Sequence, residues 1–209
     1  MSDEILSRAL ADEGVAQGHQ DDIRAYLKIL KNRDEATYEH SIRVGVLASR
    51  IAIYAAKEGI SARMLLWAGL LHDVGKALIP PGVLTKKESF TQEDYMAMEP
   101  HVRYGWDMLS SVHDYTAHII VRHHQFGPRP YPADLPPLPE YLNGKGEIIT
   151  IAARLLALAD YFDALMHRKN DRNGSKPLTS TERREIYMRD NADQKDLIEL
   201  LESVGVLRF

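Results

Sequence analysis

The chain has 209 residues, of which 44% are hydrophobic and 27% are charged, a composition typical of a soluble globular protein with one domain. Its net charge of −4 argues against binding to bulk nucleic acid, and the absence of cysteine excludes disulfide bonds and thiolate metal ligands. No apolar run approaches the ~18 residues that a membrane span requires, and the N-terminus lacks the pattern of a secretion signal. We therefore expect a cytoplasmic protein with no membrane partner.

The spacing of apolar residues predicts helices along nearly the whole chain. Residues 1–20 are expected to form a loose N-terminal arm or a short helix, and the first amphipathic pattern follows at 21–31. A longer helix is predicted from about 34 to 57. Ser61 has the position of an N-cap for a short buried helix at 62–72.

The chain then breaks at the Pro-Pro-Gly sequence of residues 80–82. Thr91 and Asp94 have the spacing of an acidic variant of the capping box, which predicts another helix start. Two further helices are expected at about 101–110 and 114–124.

Residues 126–146 contain six of the ten prolines and predict a long irregular loop. Loops of this length inside a compact domain often border a functional site or meet a partner. A strong helix is expected at about 147–166, followed by a polar turn and two smaller helices. The predicted fold is all-α, a single-domain helical bundle over residues 21–209.

The nine histidines are unusual in a chain of this length, and the first informative one belongs to a His-Asp pair. His72 and Asp73 follow a hydrophobic run at the end of a predicted buried helix. An adjacent imidazole and carboxylate can reach one metal ion together, and the second carboxylate oxygen can bridge to another ion. The alternative interpretation is an ordinary surface or capping pair, since such pairs are common.

Two other candidates lie on apolar faces of long predicted helices. His40 extends the stripe that includes Val44, so its ring should point inward. The alternative is a core histidine that is hydrogen-bonded to a backbone carbonyl. Asp160 shares a face with Leu156, and a buried carboxylate is costly unless a cation or strong donors compensate for its lost hydration.

Three more histidines lie at predicted helix ends, and the alternative for each is a solvent-facing side chain. With them, the candidate metal ligands are His40, His72, Asp73, His101, His123, His124 and Asp160. Nitrogen and oxygen ligands without sulfur favour iron or manganese, with zinc, magnesium or nickel also compatible. Two divalent ions ~3.5–4 Å apart would bind a phosphoryl oxygen and hold a bridging hydroxide as the nucleophile.

In this order, the candidates resemble the HD-GYP branch of the HD superfamily of metal-dependent phosphohydrolases. The resemblance covers about residues 30–205. It is carried by the blocks EHSIRVGVLA around His40, LLHDVGK at 70–76, PHVRYGWDML, RHHQ at 122–125 and LALADYFDAL at 156–165. The resemblance implies that Asp73 bridges two ions. It also implies that one ion is completed by His40, His72 and Asp160, and the other by His101, His123 and His124.

Basic residues near these motifs are candidates for substrate binding. Lys76 follows the His-Asp pair closely enough for its ammonium to balance charge that develops on a phosphate. The resemblance likewise implies that Lys76 reaches the scissile phosphate, so that Asp73 and Lys76 are the predicted catalytic residues. The alternative is an exposed lysine on a turn. Arg168, Lys169 and Arg172 match a region where related proteins keep phosphate-contacting residues, and a solvated run of charges is the alternative.

The chain departs from the HD-GYP pattern in the loop that names the branch. Residues 125–126 are Gln-Phe in place of Glu-Arg, and residues 130–132 are Pro-Tyr-Pro in place of Gly-Tyr-Pro. Proline cannot adopt the positive φ values open to glycine, so the loop must differ in shape. Some HD-GYP proteins bind a third ion through a glutamate at the position of Ala36. Because alanine offers no ligand, we expect two ions.

The sequence therefore predicts a two-metal phosphodiesterase that acts on a cyclic dinucleotide of the cyclic di-GMP type or on a related nucleotide. One alternative is a nucleotidase or nucleotide phosphohydrolase of the wider HD superfamily. Another is a signalling adaptor that binds metal and nucleotide without turnover. The expected partner is a small nucleotide. A homodimer, and a protein partner docked on the proline-rich loop at 126–146, are both compatible with the sequence.

Overall fold

The computed structural model describes residues 2–86, 88–142, 144–167 and 177–209, and every regular element in them is a helix. The predicted all-α fold is thereby confirmed. The α-helices in chain order are α1 (Ser2–Asp12), α2 (Gln17–Arg33), α3 (Glu35–Ala55), α4 (Ala62–Leu71), α5 (Pro81–Leu84), α6 (Gln92–Met98), α7 (His101–Leu109), α8 (Asp114–Ile120), α9 (Gly146–His167), α10 (Ser180–Asp190) and α11 (Lys195–Ser203). Short 3-10 helices lie at Val74–Leu78, Glu140–Leu142 and Ala192–Gln194.

The predicted helix starts are defined by local capping hydrogen bonds. The side chain of Asp34 accepts a hydrogen bond from the backbone of Thr37 at the start of α3. Ser61 caps α4 in the same way, and Thr91 with Asp94 forms the predicted capping box of α6. Each cap satisfies a backbone N–H that has no partner inside its own helix.

Helices α3, α4 and α9 form the centre of the bundle, and α3 packs on both of the others. The contact between α3 and α4 depends on two glycines. A Cβ atom on Gly69 would lie 2.5 Å from Cα of Gly45, so the two backbones touch where side chains would normally separate them. On α9, Ile149 and Leu156 are fully buried, as the predicted apolar face requires.

The N-terminal segment forms a helix that is packed onto the bundle. Leu6 and Leu10 of α1 are buried, and Tyr38 of α3 donates a hydrogen bond to Asp3. Of the two forms predicted for residues 1–20, the structure has the short helix. Helix α2 begins at Gln17, before the start of the predicted domain at residue 21. That domain boundary stays a prediction.

Two boundaries differ from the sequence predictions. The helix expected at 114–124 ends at Ile120, because the following backbone N–H groups of Arg122, His123 and Gln125 donate to carbonyls three residues back. These tighter turns replace the α-helical pattern. The predicted irregular loop at 126–146 contains one short 3-10 helix, and α9 begins at its last residue.

The proline-rich loop is tied to the bundle by side chains that donate to its carbonyls. Arg122, which is only 9% exposed, donates to the carbonyl oxygen of Pro136 at 3.0 Å. Gln125 donates to the carbonyl of Pro132 at 2.9 Å. Such bonds fix an irregular segment whose prolines supply no backbone donors. Over the described residues, no helix is both long enough and apolar enough to cross a membrane.

Candidate metal centre

The structure brings all seven candidate ligands together in the interior of the bundle. Five separate parts of the chain contribute them. His40 lies in the second turn of α3, His72 and Asp73 directly follow α4, and His101 is the first residue of α7. The pair His123 and His124 lies in the turns after α8, and the seventh candidate, on α9, is Asp160.

Asp73 lies at the centre of this cluster. Its Oδ2 atom is 3.3 Å from Nε2 of His72 and 3.6 Å from Nε2 of His40. Its Oδ1 atom is 3.4 Å from Nε2 of His101. The two oxygens of one carboxylate therefore face different histidines, which is the arrangement that a bridging ligand requires.

The possible donor atoms fall into groups whose members all lie within 4.8 Å of one another. Two groups share no residue, and together they account for six of the seven candidates. The first is His40, His72 and Asp160, and the second is His101, His123 and His124. A third group overlaps both and consists of His72, Asp73 and His123. This division matches the two-ion assignment that the sequence resemblance implies, with Asp73 between the two groups.

Three of the histidines have a fixed tautomer. Nδ1 of His72 lies 2.7 Å from the carbonyl oxygen of Gly69, and His101 and His123 make equivalent contacts at 2.7 and 2.5 Å. A carbonyl oxygen can only accept, so each Nδ1 carries the proton and each Nε2 keeps a lone pair. These three Nε2 atoms are buried and make no hydrogen bond within the described chain. Buried polar atoms without partners are costly, and a metal ion is the partner that suits three converging imidazole lone pairs.

The electrostatics of the site give the protonation states that metal binding requires. Burial lowers the pKa of His101 to about 3 and that of His123 to about 4, and it lowers the pKa of His124 well below the usual value. Burial by itself raises the pKa of Asp73 and that of Asp160. Neighbouring histidines, together with Lys76 in the case of Asp73, have the larger and opposite effect, so both pKa values lie well below the usual range. Neutral imidazoles and ionised carboxylates are the forms that bind metals.

His40 differs from the other histidines because its ring lies between carboxylates. Nε2 is 3.1 Å from Oδ1 of Asp160, and Nδ1 is 2.7 Å from Oδ2 of Asp163. Burial lowers the pKa of His40, but the hydrogen bonds with these two aspartates raise it by a larger amount, so the net shift of the pKa is upward. The carboxylates around His40 therefore favour a positive charge beside Nε2, and a metal ion would supply that charge. The predicted alternative, a bond from His40 to a backbone carbonyl, does not occur.

Asp163 was not predicted from the sequence. It belongs to the block LALADYFDAL and lies three residues after Asp160 on α9, a spacing that places both on one helical face. That spacing is the signal that could have identified it. Its contact with His40 joins residues 123 positions apart in the chain.

Lys76 is buried rather than exposed on a turn, and its Nζ atom lies 2.6 Å from Oδ2 of Asp73. The alternative of a surface lysine is therefore wrong, whereas a role at the phosphate stays a prediction. The basic residues Arg168, Lys169 and Arg172 lie outside the described residues.

The glycine of the HDVGK motif has a structural task that the sequence did not reveal. A Cβ atom on Gly75 would lie 2.0 Å from the carbonyl oxygen of His101 and 2.4 Å from the backbone nitrogen of Gly105. Real Cβ contacts are not this short, so only glycine permits the 3-10 helix after Asp73 to contact α7. This contact brings His101 up to Asp73.

The proline-rich loop reaches the centre through one aromatic ring. Tyr131 stacks on His124, with 4.4 Å between the ring centroids and an angle of 24° between the planes. Tyr131 belongs to the Pro-Tyr-Pro sequence that replaces the Gly-Tyr-Pro of the HD-GYP pattern. The sequence predicted that this loop borders the functional site, and at Tyr131 the loop does contact the cluster.

The chain is similar in sequence to several proteins that are named as phosphodiesterases. A cyclic di-GMP phosphodiesterase of Thermotoga maritima is 32% identical over 151 residues, which cover 70% of this chain and 38% of that protein. The 3'3'-cGAMP-specific phosphodiesterase 2 of Vibrio cholerae is 30% identical over 177 residues, which cover 81% of this chain and 31% of that protein. The chain thus spans well under half of the length of these relatives.

Two further comparisons concern the family and the fold. The crystal structure of the HD domain of the L. monocytogenes phosphodiesterase PgpH superposes with a TM-score of 0.55 at 19% identity, and the alignment covers 81% of this chain and 83% of that one. The model of the family described as HD domain matches residues 37–165, which is more than half of the chain. The chain therefore belongs to the HD domain family.

Proposed function

We propose that this chain is a metal-dependent phosphodiesterase that hydrolyses a cyclic dinucleotide. The observation that carries the proposal is the convergence of His72, His101 and His123. Their Nδ1 atoms are occupied by backbone carbonyls and their buried Nε2 atoms face Asp73 or the rest of the cluster. A site of this kind is suited to holding cations, and the relatives are named as phosphodiesterases of cyclic dinucleotides.

In the proposal, two divalent ions are held by the seven residues of the cluster, with Asp73 shared between them. Iron or manganese is preferred, because the donors are imidazole nitrogens and carboxylate oxygens. When bound, such ions would supply Lewis-acid polarisation of the phosphodiester and acidify a water. The ammonium of Lys76, buried beside Asp73, would balance negative charge on the phosphate.

The substrate class is supported more strongly than the individual substrate. One relative is named for cyclic di-GMP and another for 3'3'-cGAMP, and both compounds are cyclic dinucleotides. The Pro-Tyr-Pro loop lies against the cluster through Tyr131, so a change of its shape would alter the space for the bases. Arg168, Lys169 and Arg172 stay candidates for contact with the phosphates of the substrate. A cytoplasmic location, a homodimer and a protein partner on the loop at 126–146 stay predictions.

The test is turnover by protein purified without chelator and loaded separately with manganese or with iron under anaerobic conditions. Cyclic di-GMP, 3'3'-cGAMP, a set of nucleoside monophosphates and an aryl phosphodiester are incubated with the chain, and the products are separated by chromatography. The proposal expects a linear dinucleotide from at least one of the two cyclic dinucleotides, and no product with Asp73→Asn. Release of phosphate from nucleoside monophosphates alone would identify a nucleotidase. Binding of a cyclic dinucleotide without turnover would identify an adaptor.

A further inference from the structure

Three of the ligand histidines are oriented by backbone carbonyls at helix ends. His72 contacts the carbonyl of Gly69 on α4, and His101 that of Met98 on α6. The last four carbonyls of an α-helix have no partner inside the helix, so they can accept from a side chain instead. His123 uses Ile120, the last residue of α8, in the same way. Backbone atoms orient all three of these rings.

His40 cannot be oriented in this way, because it lies in the interior of α3, where the carbonyls already accept the hydrogen bonds of the helix. Its Nδ1 atom uses the carboxylate of Asp163 instead, at 2.7 Å. Arg43 holds that carboxylate in a fork, with contacts of 2.7 Å to Oδ1 and 3.0 Å to Oδ2. The Asp163 side chain is only 5% exposed, so this arrangement is shielded from water.

His124 is held by a third means, the stacked ring of Tyr131. The loop that carries this ring is itself fixed. Gln125 donates to the carbonyl of Pro132, and the buried Arg122 donates to that of Pro136. A ring in a fixed loop restricts the rotation of the imidazole beneath it, which lowers the entropy that a ligand loses on binding an ion.

We propose that the two metal positions are tuned separately by two positioning residues: Asp163 acts on the position that contains His40, and Tyr131 acts on the position that contains His124. This inference rests on the metal centre of the proposed function but not on its substrate. A carboxylate that accepts from Nδ1 makes an imidazole a stronger ligand than a carbonyl does. The position with His40 and Asp160 therefore binds the first ion, and the position with three histidines fills second.

The test is titration of metal-free protein with Co²⁺, followed by visible absorption, which reports ligand geometry and needs no substrate. Wild-type protein should show two phases. Asp163→Asn should weaken the tighter phase by about 10- to 100-fold, the effect usual for losing a partner of a metal-bound histidine. The second phase should stay unchanged. Asp163→Glu should recover part of the loss, and Arg43→Gln should give a smaller shift of the same phase.

The reciprocal variants act on the other phase. Tyr131→Leu should weaken the second phase by about 2- to 10-fold, the range expected for one aromatic pair, and leave the first unchanged. Tyr131→Phe keeps the ring and should behave as wild type. Two matched controls change the same residue types at exposed positions. Asp107→Asn lies on α7, and Tyr141→Leu, at 65% exposure, lies in the same loop as Tyr131; both should titrate as wild type.

The proposal is overturned if either variant shifts both phases equally, or if Asp163→Asn leaves both unchanged while circular dichroism shows a native helix content. Should Asp163→Asn fail to fold, Arg43→Gln provides the test of the position that contains His40. Arg43 is partly exposed, and its replacement leaves the carboxylate of Asp163 in place. A chain that cleaves no cyclic dinucleotide but shows the two selective shifts would refute the proposed function and leave this inference standing.

Discussion

Asp73 presents each carboxylate oxygen to different neighbours, and one of these neighbours is a buried ammonium. Lys76 lies 2.6 Å from Oδ2 of Asp73, on the same side as His40 and His72. A buried charge without compensation is costly, and this lysine supplies part of the compensation for the carboxylates of the site. The same positive charge is placed where the proposed substrate would bring a phosphate.

The replacement Lys76→Ala tests whether the ammonium acts on the phosphate as well as on Asp73. If the ammonium stabilises charge that develops on the phosphate, kcat/KM should fall by roughly 10²-fold or more, as it does when one oxyanion donor is removed from other enzymes. Metal content should not change, because Lys76 offers no ligand to a divalent ion while it is protonated. The measurement pairs steady-state kinetics with elemental analysis. Unaltered kinetics would leave Lys76 as a structural partner of Asp73 only.

Among the elements, the contact between the 3-10 helix Val74–Leu78 and α7 controls the geometry of the centre. Gly75 is needed there because its Cα lies directly against the backbone of α7. The 3-10 helix follows Asp73, and α7 begins with His101. A shift of one element against the other therefore moves a ligand of each proposed ion.

Gly75→Ala should consequently damage both stability and metal binding. The added methyl would meet the carbonyl of His101, which is backbone and cannot rotate away. We expect a loss of about 3 kcal/mol in the free energy of unfolding, the upper end of the usual cost of overpacking. Urea unfolding of the metal-free protein measures the loss, and elemental analysis measures the ions retained. Gly18→Ala, at a position in α2 with open space around it, is the control and should not destabilise. A Gly75→Ala protein as stable as this control would contradict the close contact.

Helix starts were predictable because their causes are local. Asp34, Ser61 and the Thr91–Asp94 pair act within three residues of the bonds they make. The end of α8 was not predictable, because the turns after Ile120 are defined by backbone hydrogen bonds to carbonyls three residues back, and no glycine or proline marks the stop. Residues joined only by the fold were missed for the same reason: the partner of His40 is Asp163, 123 positions away.

The sequence predicted the family and the convergence of seven side chains, but it did not predict the groups that orient these side chains. The apolar stripes put His40 and Asp160 inside the bundle, and the structure agrees: His40 is buried and the side chain of Asp160 is only 15% exposed. The orienting groups are mostly backbone carbonyls at helix ends. Their identity depends on where each helix stops, which a periodic pattern fixes only to within a few residues.

Burying neutral histidines makes the stability of the metal-free protein depend on pH. His101 and His123 have folded pKa values of about 3 and about 4, below the value of 6.5 expected when the chain is unfolded. Between these values the unfolded chain binds more protons than the folded one, so stability falls as the pH falls from 6.5 toward 4. Each such histidine contributes at most about 1.4 kcal/mol per pH unit. His40, whose folded pKa is raised, acts in the opposite direction.

We therefore expect the unfolding free energy of metal-free protein to decrease steadily from pH 6.5 to pH 4, as measured by urea unfolding at each pH in the presence of a chelator. The carboxylate Asp163, with a folded pKa of about 2, keeps its contribution through this range and loses it only at lower pH. His101→Gln should flatten the dependence, since glutamine cannot take up the proton. A stability that stays level or rises on acidification would contradict the neutral, buried state of these histidines.

We expect the seven residues to form one centre for two ions, with Asp73 shared. Quantitative elemental analysis of well-washed protein counts these ions. Ala36, exposed and one turn before His40, provides no carboxylate for a further ion. We predict about two tightly held ions per chain in the wild type, as in two-metal sites of this kind, and almost none in Asp73→Ala. Three tightly held ions per wild-type chain, or an undiminished metal content in Asp73→Ala, would rule out a two-ion centre that shares Asp73.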